Sequence, residues 1–232
     1  MNCRNNSRGE KMSDQFVNQE KRDVSGFSAL LFKGVGKIEL TQGDHEELVI
    51  EANPEVLSRI HTDVSNGLLT IHYESDWKDW TGVRFLGGDK IVFHLIMREI
   101  KSLAVSGVGN VDAARIASDQ LEMSLSGPGM MTVGRLNCGS LKLDLGGVGS
   151  MDLAGTTADL NINLSGAGTI KASRLEADKA VVKLSGVGTA TVWAKTLLDT
   201  SISGAGVIEY YGKPQISVNN SGLGVLKYLG NR

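Results

Sequence analysis

The phrase Ser-Gly-x-Gly recurs through the second half of this chain, and its residue types suggest two chemistries. Gly-x-Gly loops cradle phosphate where backbone N–H groups converge at the start of a helix. A serine beside glycine becomes a nucleophile where a base activates it. The serines are Ser106, Ser126, Ser165, Ser185, Ser203 and Ser221, and Gly146 takes the serine's place in "GGVG". A phosphate loop needs Gly-x-x-x-x-Gly-Lys-Ser/Thr between a strand and a helix. "GVGKIEL" offers Gly36-Lys37, but Leu31 stands where the first glycine belongs, Ile38 replaces the hydroxyl residue and a strand follows. No copy opens a helix, so the dinucleotide fingerprint fails too. A nucleophile needs a nearby base, and His45, His61, His72 and His94 all lie ahead of the repeats. Equivalent serines in one column read as architecture, because an activated nucleophile is a single unusual residue. A calcium β-roll repeats Gly-Gly-x-Gly-x-Asp every nine residues. Counting Gly146 as the first, Met151 holds the sixth position and Asp152 arrives one residue late. These residues offer no catalytic set, no metal site and no cofactor.

The spacing carries the meaning instead. Gly-x-Gly falls at Gly34/Gly36, then at Gly107/Gly109, Gly127/Gly129, Gly147/Gly149, Gly166/Gly168, Gly186/Gly188, Gly204/Gly206 and Gly222/Gly224. The last seven copies are separated by 20, 20, 19, 20, 18 and 18 residues, and both glycines of each pair are expected in the turn. Two, four and six residues before the first glycine the chain is mainly apolar, as at Leu141, Leu143 and Leu145, with polar residues between. Four and six residues after it the chain is apolar again, as at Met151 and Leu153. Alternation with period 2 marks half-buried strands on both sides of each turn. One such pair cannot bury its own apolar face, so copies must stack at ~4.8 Å. The fold class is therefore all-β, a parallel β-helix or solenoid of about seven coils turning at Ser-Gly-x-Gly. On this view the serine hydroxyls form a ladder that bonds along the turns.

Three sections follow. Residues 1–23 read as a disordered polar tail, 24–98 as an irregular β-rich section and 99–232 as the solenoid. Within the irregular section, "NPEVLSRI" predicts a short helix with Asn53 as N-cap and Pro54 at its first position. Asn66-Gly67 predicts a hairpin. "DWKDWTGVRFLGGD" predicts a loop. Charged residues are 22% and the formal net charge is -2, which gives no electrostatic footprint for nucleic acid. No apolar run reaches the ~18 residues of a membrane span, so no transmembrane segment is expected. Cys3 and Cys138 do not form a disulfide framework.

The repeated turns resemble those of the head GIN domain family of auto-transporter adhesins. So does the opening "KRDVSGFSALLFKGVGKIELTQGD", with "ELVIEANPEVLSRIHTDVSNGLLTIHYE" after it. The resemblance covers nearly all of residues 20–230. It implies a right-handed, pectin-lyase-like β-helix, a bacterial envelope or secreted location and a role in adhesion. It brings no catalytic residues. Many members carry an export or lipoprotein signal, and no apolar leader is visible in this sequence.

The outward columns hold the candidates for function. Charges alternate in sign along them, with Glu122, Lys142, Asp144, Lys183 and Asp199 before the turns and Asp112, Asp152, Lys171, Glu209 and Lys227 after. That pattern supports pairing between coils and offers no paired acid and base for glycoside cleavage. Seven residues after the first glycine stand Ala114, Gly134, Ala154, Ser173, Trp193, Tyr211 and Leu229. Trp193 and Tyr211 are expected side by side on adjacent coils, where they could stack on a sugar or join a partner. Trp77 and Trp80 in "DWKDW" are a second candidate pair. The expected partners are a glycan or cell surface and a second copy through an unpaired end. Two alternatives stand: a carbohydrate-processing lyase or hydrolase, and a purely structural, self-associating solenoid.

Overall fold

The computed structural model describes residues 18–73 and 91–232. Five long strands make the body of a parallel solenoid: β9 (Val108–Leu125), β10 (Gly129–Leu145), β11 (Val148–Leu164), β12 (Ala167–Leu184) and β13 (Val187–Ile202). Each runs from one Gly-x-Gly corner to the next and pairs in parallel with its neighbours. The chain makes about six turns. Seven successive corners enclose six circuits, one fewer than a count that gives every corner its own coil.

Burial along β9 and β10 shows how each coil closes. Alternation is broken by adjacent exposed pairs at Ala114-Arg115 and Asp119-Gln120 in β9, and at Gly134-Arg135 and Gly139-Ser140 in β10. These mark two further bends, so each coil has three sides. The short third side sends Ile116, Leu136 and Leu175 into the core. Ser118, Cys138 and Thr157 share another of its columns, and each donates to the carbonyl two residues on, at 2.8, 3.0 and 3.1 Å. Cys138 thus replaces a hydroxyl residue in a structural clasp, and burial raises its thiol pKa.

The first glycine corner belongs to the same stack. Strands β2 (Ala29–Phe32) and β3 (Val35–Gln42) flank Gly34, and they pair with β8 (Ser102–Val105) and β9. Residues 43–73 and 91–101 then leave the circuit. On one face β3 continues to β7 (Val92–Met97), and β4 (Glu47–Ala52) pairs antiparallel with β7. On another, β2 continues to β6 (Leu68–Tyr73), and β5 (Ile60–Ser65) closes a hairpin with it. Asn66 and Gly67 supply that hairpin's positive φ angles of 51° and 77°. Helix α1 (Pro54–Leu57) joins β4 to β5, with Val56 and Leu57 buried at the end of the core. Asn53 caps it by accepting from the Glu55 N–H at 2.9 Å. Residues 18–22, expected in the polar tail, instead form β1 (Asn18–Arg22) antiparallel to β4. Lys21 pairs there with Glu47, and Arg22 donates to the Leu57 carbonyl at 2.8 Å. The expected loop at 76–89, with Trp77 and Trp80, lies outside the described residues.

The opposite end is less covered. The last circuit is β14 (Ala205–Tyr211), β15 (Gln215–Asn220) and β16 (Val225–Gly230), and Ile216, Val218, Leu223, Val225 and Tyr228 are exposed. Asn220, which interrupts the Leu column, closes the last corner. Its amide donates to the Gly224 carbonyl at 2.8 Å and accepts from the Gly222 N–H at 3.1 Å.

The corner itself is built by backbone. The Leu145 carbonyl accepts from both Ser165 N–H (3.0 Å) and Gly166 N–H (2.9 Å), and the pattern recurs from Phe32 to Ile202. A Cβ on Gly147, Gly166, Gly186 or Gly204 would lie 2.0–2.3 Å from the previous coil's carbonyl oxygen. No real Cβ approaches that closely, so the first glycine is required by contact between coils. Serine hydroxyls add little. Those of Ser106 and Ser126 reach carbonyls only at 3.5 and 3.4 Å, beyond the usual range.

The turn is shorter than the sequence predicts, and the second glycine of most pairs is not in it. Gly109 lies in β9, Gly129 in β10, Gly149 in β11, Gly168 in β12, Gly188 in β13 and Gly206 in β14. The bend is confined to the first glycine and its neighbours, at Gly107, Gly127, Gly147, Gly166, Gly186 and Gly204. The reason is that pairing resumes at the residue between the two glycines. The N–H of Ala167, Val187 and Ala205 donates to the first-glycine carbonyl of the coil before, at 3.0 Å each. From there Gly109, Gly129, Gly149, Gly168, Gly188 and Gly206 stand in unbroken register. These strand positions need glycine for the same reason the bend does. A Cβ on Gly149, Gly168, Gly188 or Gly206 would meet the carbonyl oxygen of the glycine below it at 1.9–2.1 Å. Gly224 alone of the second glycines in the seven repeats falls outside a strand, ahead of β16.

Gly147→Ala is expected to cost about 1–3 kcal/mol or more by overpacking. Gly146→Ser, where the nearest atom is Ser165 Oγ at 3.7 Å, is expected within about 0.5 kcal/mol of the parent. Urea unfolding of the two variants checks the contrast, and equal midpoints would contradict it.

Candidate functional site

Trp193 and Tyr211 are direct partners in the parallel register of β13 and β14. The ~4.8 Å between strands places the two residues in one outward column. Both are partly buried. The tight fit continues past them at Gly212, whose φ is +102°. A Cβ there would strike the Ala194 carbonyl oxygen at 2.1 Å and approach Trp193 Cδ1 at 3.5 Å.

The rest of the expected column is displaced. Trp193 lies beside Glu176 rather than Ser173, and Tyr211 beside Gly230 rather than Leu229. The second shift comes from Leu229, which intervenes in β16 between Tyr228 and Gly230. The first comes from a bulge in β12, where residues 173–175 intervene between Ala172 and Glu176 with no counterpart between Val192 and Trp193. Leu175 turns into the core, while Arg174 turns out to meet Asp152 at 2.9 Å. The bulge thereby carries a carboxylate to the edge of Trp193. Lys195 binds that carboxylate at 2.8 Å and Asp178 at 3.5 Å. The hydrogen bond to Glu176, with the attraction of both carboxylates, holds the Lys195 ammonium above its ordinary pKa. Arg232 completes the patch. Its guanidinium lies 4.5 Å from the Tyr211 ring centroid and donates to the Ser173 carbonyl. The aromatic pair was legible in the sequence. Its polar rim was not, because the bulge and the reach of Arg232 follow no repeat.

The arrangement suits recognition of a partner that is apolar on one face and hydrogen-bonding at its edges. Tyr211 already holds a cation against its ring, which shows that one ring face accepts a stacked group. Glu176, Lys195 and Arg232 supply acceptors and donors at the rim.

Parts of the charged columns are bridged between coils. Lys142 meets Glu122 at 2.7 Å and Asp144 at 3.0 Å, Lys37 meets Asp112 at 3.1 Å, and Lys227 meets Glu209 at 3.1 Å. Hydrogen bonds to Glu122 and then Asp144 raise the Lys142 pKa. These carboxylates are bridged by cations rather than facing each other across a groove. Among the described residues, no three His, Cys, Asp or Glu side chains gather as a metal site. His94 lies between Glu39 (3.2 Å) and Glu51 (3.4 Å) on the N-terminal strands. No helix among the described residues is long and apolar enough to cross a membrane.

Comparison with known proteins agrees with this architecture. No curated protein matches the sequence. A solved "putative adhesin" from Bacteroides fragilis is similar with a TM-score of 0.83 and 25% identity, covering 93% of this chain and 98% of that one. A second from Parabacteroides merdae has a TM-score of 0.70 and 19% identity, over 93% and 97% of the two chains. A "putative lipid binding protein" from Parabacteroides distasonis has a TM-score of 0.70 and 22% identity, over 93% and 98%. The last two speak for the fold alone. The family model described as "Putative auto-transporter adhesin, head GIN domain" matches residues 26–214, and the chain belongs to that family.

Proposed function

We propose that this chain is a non-catalytic binding module of the cell envelope or the secreted fraction. Its contact surface is the Trp193–Tyr211 pair, rimmed by Glu176, Lys195 and Arg232, and its partner is a glycan or another cell-surface molecule. The observation that carries this is the register itself, which sets two large aromatics side by side on an outer face. Adhesin descriptions across the family and its solved relatives support the same reading. Trp77 and Trp80 enter the proposal as a second aromatic pair on sequence grounds alone. The cation bridges across the outer columns favour binding over glycoside cleavage, which needs two carboxyl groups flanking one bond.

Trp193→Ala and Tyr211→Ala are each expected to weaken binding at least about tenfold, as for central aromatics of interfaces. A broad glycan array followed by titration checks this, with circular dichroism to verify the fold. Wild-type protein that binds nothing on the array would remove the glycan version, and unchanged binding in both variants would remove the site.

A second copy of the chain is proposed as a further partner, at the exposed residues Ile216 and Val218 of β15. The strand QISVNN carries no charge, and uncharged edges invite pairing. Ile216→Lys with Val218→Lys is expected to lower the mass seen by light scattering at high concentration. A monomeric wild type under the same conditions would contradict it.

A further inference from the structure

Among the described residues the stack of coils lacks one rung. On its N-terminal side β9 pairs with β3 as far as Ala113 and with β8 from Glu122 onward. Among the described residues, 114–121 have no strand partner on that side, while β10 pairs along the other. The cause is the departure of residues 43–73 and 91–101 from the circuit. Two faces continue below β9 through β3 and β8, and among the described residues the third side does not.

The gap is bounded at both ends. At one end the Gln42 side chain lies against Ala117. The Ala117 N–H donates to Gln42 Oε1 at 2.7 Å, and Gln42 Nε2 donates to the Ala117 carbonyl at 2.9 Å. A second bond from Nε2 to the Arg98 carbonyl, at 3.1 Å, fixes the amide in place. At the other end the Glu122 N–H donates to the Lys101 carbonyl at 2.9 Å. From Ala117 to Glu122 the chain runs five residues, at most about 16 Å, through the bend at Asp119-Gln120. A cavity of about 970 Å³ opens along it, lined by Gln42, Lys101, Ser118, Asp119, Gln120 and Glu122, among others.

We propose that this stretch of β9 is a docking edge for an extended polypeptide, which joins the sheet in parallel as the absent rung of the third side. The Gln42 amide shows the edge in use. A primary amide carries the donor and acceptor of a peptide group, and here it makes both bonds of a strand pairing with Ala117. A peptide laid beyond it continues the same pairing toward Lys101, as in recognition by strand addition. The slot does not suit another solenoid, because its rungs run on around their corners and would meet Gln42 and Lys101. Charge selects among peptides. Lys101 is held by Glu99 at 2.8 Å, and Lys142 by Glu122. Asp119 is exposed, and among the described residues no ion pair engages it. A lysine or arginine in the peptide therefore pairs with Asp119. This site is separate from the aromatic pair and stands or falls independently of it.

Panning a displayed library of linear random heptapeptides against the full chain tests the proposal. Enriched peptides are expected to carry a basic residue, to bind the free protein, and to slow hydrogen exchange within residues 114–121. Gln120→Trp sets an indole on the exposed rim of the slot and is expected to weaken these peptides at least about tenfold. N-methylation of alternate peptide amides, tested on the wild-type protein, is expected to do the same. The proposal is overturned if no enriched peptide binds, if binding survives both changes, or if protection falls elsewhere.

Discussion

Contact between successive Gly-x-Gly corners sets everything else in this molecule. At each corner one carbonyl accepts two N–H groups from the next coil, and the first glycine passes too close for any side chain. That contact fixes the height of one coil on another. With the height fixed, equivalent residues must stack, and the columns of Leu, Val, Ile and Met merge into one continuous core. The residue between the glycines is turned outward by the same geometry, which leaves Val108, Val148, Val187 and Leu223 exposed. Tyr73 seals the base of the stack. Its ring would meet a Cβ on Gly34 at 2.5 Å, and its hydroxyl donates to the Val35 carbonyl at 2.9 Å.

Such regularity leaves few places for specific chemistry. A column of like residues presents much the same surface at every coil, and several of its charges pair with neighbours. On our proposal, recognition comes from departures. The bulge in β12 is one, since it brings Glu176 beside Trp193 and makes a mixed aromatic and ionic patch. The excursion of residues 43–73 and 91–101 is another, since among the described residues it leaves the third side without a rung and with a strand edge. Both departures lie on sides of the coil away from the Ser-Gly-x-Gly corner, the feature with the most suggestive residues.

The corner and its two flanking strands were legible in the sequence, because glycine spacing and period-2 alternation are enforced at every coil. The extent of the turn was not. Gly149 or Gly188 looks like a turn residue by type, yet it is a strand residue held to glycine by the coil beneath it, and only the stack reveals that. The third side was hidden too. Its inward column mixes Ser118, Cys138 and Thr157, whose common role is a bond to a carbonyl two residues on, and hydrophobicity does not reveal that. The N-terminal section was legible in parts. Asn53-Pro54 and Asn66-Gly67 act through local geometry, so their helix cap and hairpin could be read directly. That Gly34 belongs to the same column as Gly107 could not be read, because residues 43–101 stand between them. The pairing of Trp193 with Tyr211 followed from the register, whereas Gln42 finds Ala117 across 75 residues with no motif to announce it.

The central claim is that the repeated serines and glycines are architecture, and that recognition belongs to the residues that break the repeat. One variant tests it most directly: Ser106, Ser126, Ser165, Ser185, Ser203 and Ser221 all changed to alanine, compared with the parent for adherence to a glycan-coated or cell-coated surface. The account predicts unchanged adherence together with an unchanged urea midpoint. Loss of adherence with the fold intact would place the ligand on the corners and contradict it.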